Sequence, residues 1–99
     1  MKVVVEFSMI PIGVGVSLSK YIAACKRVLE EAGLKTELHG NGTNIEGEWD
    51  QVMLAIRRCH EVVHQMGALR ISSMVKVATR VDREETLSGK IKSVERIKS

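Results

Sequence analysis

With 99 residues the chain can build one hydrophobic core and reads as a single domain, 1–99. Its 44% hydrophobic and 27% charged content suits an ordinary globular protein. No apolar run approaches the roughly 20 residues that cross a bilayer, and the first residues carry no cleavable signal pattern. The formal charge of +3 does not point to nucleic acid: Lys90, Lys92, Arg96 and Lys98 are interleaved with Asp82, Glu84, Glu85 and Glu95, and aromatics for base stacking are scarce.

Residues 2–10 form a β-branched apolar run ended by Pro11 and the Gly13/Gly15 turn, which predicts a strand. A helix follows, capped by Ser17 or Ser19 and stopped at Gly33, with Ile22, Cys25, Leu29 and Ala32 at helical spacing and Val28 beside them. Residues 34–40 and 43–47 read as a hairpin, with Gly40 and Gly42 supplying the positive φ angles of a tight reversal. Residues 49–66 are a second amphipathic helix, with Val52, Ile56, Cys59 and Val63 on one face, Asp50 near its start and Gly67 as its stop. Residues 68–81 are the last long strand, and 86–97 form a short terminal helix or tail.

The order β-α-β-β-α-β predicts an α+β ferredoxin-like sandwich, a four-stranded antiparallel sheet with two helices on one face. Alternation sends Val3, Val5, Phe7 and Met9 toward the helices and Val4, Glu6, Ser8 and Ile10 away. In the last strand Leu69, Ile71, Ser73, Val75 and Val77 take the helix side, while Arg70, Ser72, Met74, Lys76 and Ala78 face outward. This outer face is too apolar for water and too polar for a dry core, which predicts an oligomer that encloses it. Cys25 and Cys59 fall inside helices and read as buried thiols, so a cytoplasmic location is expected.

Glu6 and Ser8 lie two residues apart on one strand face, where a carboxylate and a hydroxyl could hold a ligand amine; the competing reading pairs Glu6 with Lys76. His60-Glu61-Val62-Val63-His64 matches the HExxH pattern of zinc proteases, but no third ligand follows at a familiar spacing, so two histidines flanking the core stripe are the better reading. Gly13-Val-Gly-Val-Ser17 lacks the lysine of a P-loop and reads as a strand-to-helix turn. Trp49 could stack on a ligand or cover the hairpin. No arrangement makes a convincing enzyme.

Val5-Glu-Phe-Ser-Met-Ile-Pro-Ile-Gly13, Glu37-Leu-His39, Gly42-Thr-Asn-Ile-Glu-Gly47, the run from Val52 through Arg58-Cys-His-Glu61, and Arg80-Val-Asp-Arg83 together resemble the YkoF-like thiamine-binding family over nearly the whole chain. The resemblance implies a ferredoxin-like fold, a homotetramer built as a dimer of sheet-packed dimers, and non-catalytic binding of thiamine or its hydroxymethylpyrimidine part. No cofactor, metal, nucleic-acid or membrane partner is expected. Carried onto this chain, the ligand-binding positions are Glu6, Ser8, Thr43, Glu46 and Trp49, with Ser72 on the same outer face as Glu6 and Ser8. An aminopyrimidine needs an acceptor and a hydroxyl partner, and a thiazolium favours acidic or aromatic surroundings.

Overall fold

The computed structural model describes residues 1–84 and 86–98, with side chains through residue 95. Its elements are β1 (Lys2–Ile12), α1 (Ser19–Glu31), β2 (Lys35–His39), β3 (Gly42–Glu48), α2 (Trp49–Gln65), β4 (Arg70–Ala78) and α3 (Leu87–Lys98). The sheet runs β2-β3-β1-β4 with every neighbour antiparallel, the ferredoxin-like order. The core lies between this sheet and the α1/α2 layer. Val3, Val5, Phe7 and Ile45 meet Tyr21, Cys25, Val28 and Leu29 of α1, and Val52, Ala55, Ile56, Cys59 and Val63 of α2.

Several local expectations need correction. Neither Ser17 nor Ser19 caps α1: Leu18 holds the N-cap position and no side chain bonds there. Tyr21 rather than Ile22 faces the core, and Ala32 is exposed, because the buried stripe runs through positions 21, 25, 28 and 29. Gly40 and Gly42 do not adopt positive φ; that conformation belongs to Gly13, Gly15 and the helix-ending Gly33 and Gly67. Gly42 serves close approach instead, since a Cβ there would stand 2.7 Å from the Phe7 carbonyl oxygen. The strand also continues through Pro11 to Ile12. Beyond Phe7, β1 has a neighbour on one side only, and such an edge tolerates a residue without N–H. β4 is shorter at both ends than residues 68–81.

The outer face is partly closed from within the chain. The helix α3, started by Thr86 Oγ1 accepting the Gly89 N–H at 3.0 Å, lies across it and buries Leu87 and Val4. Ile10 (57% exposed) and Met74 (75% exposed) stay open on the rest of that face. Ser99 and the side chains of Arg96 and Lys98 lie outside the described residues.

Candidate functional site

Unequal strand lengths create a cavity beside β1. β1 spans eleven residues and β3 seven, so their register ends at Phe7 opposite Thr43 while β1 pairs with β4 on to Ile12 opposite Arg70. From Ser8 onward the β3-side edge of β1 therefore has no strand against it. The hairpin turn, residues 40–42, and the first turns of α1 close around that gap. They leave a cavity of about 230 Å³ with Phe7, Met9, Tyr21, Cys25 and Leu38 as apolar lining and Ser8 and Thr43 as polar lining. Its volume is below the roughly 300–1,000 Å³ of pockets for drug-sized ligands. It suits one substituted ring, with the free strand edge offering backbone donors and acceptors in the ring plane.

A second cavity, also of about 230 Å³, lies on the outer face. Glu6, Glu37, Asn44 and Lys76 meet Val4, Leu87, Lys90 and Ile91 there. Lys76 stands directly across from Glu6 in the β1/β4 register, but the Glu6 carboxylate lies against the His39 ring, an ion pair only when that imidazole is protonated. His39 Nδ1 accepts the Asn41 N–H at 3.3 Å, which places the proton of a neutral imidazole on Nε2. Nε2 is buried without a hydrogen-bond partner and stops 3.6 Å from Glu6 Oε2, too far for a hydrogen bond. His39 also lines the first cavity, so it stands where the two approach each other at the hairpin tip.

Within one chain the six sequence-derived ligand positions do not gather in one cavity. Ser8 and Thr43 meet in the first cavity and Glu6 lines the second. Glu46 is buried farther along β3, with Lys35 Nζ 3.8 Å from its carboxylate. Ser72 is exposed opposite Ile10. Trp49, 41% exposed, begins α2 at the other end of β3, its backbone N–H donating to the Met1 carbonyl at 2.8 Å. Tyr21, Leu38 and Met9 were missed as lining. Tyr21 did carry a signal, its helical spacing with Cys25 and Val28.

The HExxH histidines are spoken for structurally. His60 Nε2 shares a hydrogen bond with Ser73 Oγ at 2.8 Å, tying α2 to β4, and His64 Nδ1–H donates to the Ala68 carbonyl at 2.7 Å where the chain leaves α2. Burial, with His64 nearby, holds the His60 imidazole below its usual range. Among the described residues no three His, Cys, Asp or Glu side chains gather as a metal site. In the β4–α3 connection Arg80 donates to both oxygens of Asp82, and that bonding holds the Asp82 carboxyl down to about 2.

A sequence model described as thiamine-binding protein matches residues 5–95. The chain belongs to the thiamine-binding protein family. A UPF0045 protein of Synechocystis sp. is 54% identical over 95 residues, covering 96% of this chain and 78% of that one. A UPF0045 protein of Methanocaldococcus jannaschii is 37% identical over 93 residues, 94% of this chain and 92% of the other. The crystal structure of the hypothetical protein MJ1052 from that organism superposes with a TM-score of 0.89 at 36% identity, covering 95% and 96% of the two chains. A putative thiamine biosynthesis/salvage protein of Thermotoga maritima shares the fold, with a TM-score of 0.82 at 20% identity over 95% and 99% of the chains. Membership in this family carries no catalytic description. Among the described residues no helix is long and apolar enough to cross a membrane.

Proposed function

We propose that this protein binds thiamine or its hydroxymethylpyrimidine half without transforming it, taking the pyrimidine into the cavity beside β1. The observation that carries the reading is the unpartnered edge of β1 from Ser8 onward, opening on an apolar cavity of about 230 Å³ that also holds Thr43. An aminopyrimidine presents donors and acceptors around its rim and two apolar faces, and a strand edge between apolar walls meets both needs. The cavity has room for one ring, so the thiazolium remains at the mouth. The family match and the name borne by the Thermotoga protein support the same ligand class. Glu6, on the other side of His39, acts at longer range as a carboxylate favouring a cationic ligand.

The uncovered outer-face residues Ile10, Ile12 and Met74 support assembly through the sheet, as a homotetramer made of two dimers. Two free thiols suit a cytoplasmic setting.

Titration calorimetry against thiamine, its phosphates and hydroxymethylpyrimidine tests the reading. Saturable binding of one or more, weakened by Thr43→Val and Ser8→Ala in protein that melts normally, is the expected result. The absence of saturable heat with every compound overturns it.

A further inference from the structure

His39 ends β2 opposite Gly42, so no side chain of β3 stands between its ring and β1. The ring therefore has two neighbours. Nδ1 accepts the Asn41 N–H at 3.3 Å, while Nε2 is buried, unbonded and 3.6 Å from Glu6 Oε2. A neutral imidazole with its proton on Nε2 satisfies the first contact and leaves the second incomplete. An imidazolium reverses this. Both its nitrogens are donors, so Nδ1 no longer accepts from Asn41, whereas Nε2–H faces a carboxylate just beyond hydrogen-bonding distance.

We propose that His39 is a protonation latch that sets the charge preference of the β1 cavity. Neutral, it holds the hairpin tip through Asn41 and leaves Glu6 as a free carboxylate favouring a cationic ligand. Protonated, it releases Asn41 and closes on Glu6. The effect on affinity rests on the binding reading above; the exchange of partners does not. His39, Gly40 and Asn41 all line the cavity, so the exchange acts on its wall. Among the described residues Glu6 has no other ion-pair partner, so closing His39 on it cancels a charge that is otherwise uncompensated. The other charged groups around the pair are Glu37 of β2, Lys76 of β4 and Lys90 of α3, which line the outer cavity with Glu6 and Asn44 of β3. Carboxylates and ammonium groups keep their charge over about pH 5–8, where imidazoles lose theirs. From α1 the β1 cavity receives Tyr21 and Cys25. The Cys25 thiol, held below its ordinary range by its hydrogen bond with Cys59, is the competing titrating group and is controlled for directly.

Calorimetric affinity for thiamine is measured from about pH 5.5 to 8 in wild-type protein and in His39→Gln. The ratio of the two at each pH cancels the ligand's own titration. Wild type should match the variant near the upper end and fall to about a third to a fifth of it near the lower end, the worth of one solvent-screened charge pair. Glu6→Gln should bind thiamine about threefold to fivefold more weakly than wild type at the upper end, with the further fall on acidification abolished. Cys25→Ala should keep the wild-type profile. In ligand-free protein, NMR should show the Asn41 amide proton moving upfield, as loss of its hydrogen bond requires, with the same midpoint as the His39 ring. Thermal melts establish that each variant is folded at each pH. A ratio independent of pH, a pH dependence that disappears in Cys25→Ala, or an Asn41 amide that stays in place while His39 titrates overturns the proposal. No thiamine binding by wild type at any pH overturns the binding reading and the charge preference with it, while the ligand-free Asn41 shift still decides the latch.

Discussion

The two halves of β1 share one alternating pattern and end in different surroundings. From Val4 to Phe7 the strand has β3 on one side and β4 on the other, and Val3, Val5 and Phe7 are closed over by both helices. From Ser8 to Ile12 it keeps β4 but loses β3, and the space beside it is the cavity. Packing therefore stops where the shorter strand stops. The closed half supplies stability and the open half supplies a binding edge, and they meet at Gly42, where the hairpin backbone presses against the Phe7 carbonyl.

That contrast can be broken most severely in the closed half. Ile45 is fully buried opposite Val5. Ile45→Ala should cost about 2–5 kcal/mol of unfolding free energy, the range for such truncations, measured by urea denaturation. At the junction, Gly42→Ala must push back the Phe7 backbone and should cost about 1–3 kcal/mol, as overpacking does. It should weaken ligand binding as well, because the displaced hairpin is a wall of the cavity. In the open half, Thr43→Val should leave stability within about 0.5 kcal/mol while lowering ligand affinity about fivefold to tenfold, the worth of one hydrogen bond. If calorimetry shows equal losses of stability for Ile45→Ala and Thr43→Val, the two halves are not energetically distinct.

The smallest expected effect is a pH dependence on the helix side of β4. His60 has a folded pKa below its unfolded value, so the folded state binds fewer protons where the two differ. The stability it contributes is complete above the unfolded value, about pH 6.5, and is lost as pH falls through the folded value. His60→Gln should flatten that decline, read from thermal midpoints across the interval.

The elements themselves were legible because each depends on local pattern. Val52, Ile56, Cys59 and Val63 recur at helical spacing and all are buried; Gly33 and Gly67 end their helices in the left-handed conformation expected of them. The outward placement of Glu6 followed from strand alternation alone. The candidate site was legible only in fragments. Ser8 and Thr43 come together, but Glu6 belongs to the outer cavity and Trp49 to the opposite end of β3, since family-marked positions spread along a strand need not share an end or a face. The glycine-rich hairpin was recognised with a different reason behind it: Gly42 is required by the neighbouring strand rather than by its own φ.

The sequence by itself determined the order of elements, the buried stripe of α2 and the two faces of β1, all properties of neighbouring residues along one chain. Only the tertiary structure decided where β3 stops against β1, that α3 lies over Val4, and that the His39 ring reaches Glu6. Those features depend on register and on contacts between residues distant in sequence, which no periodicity encodes.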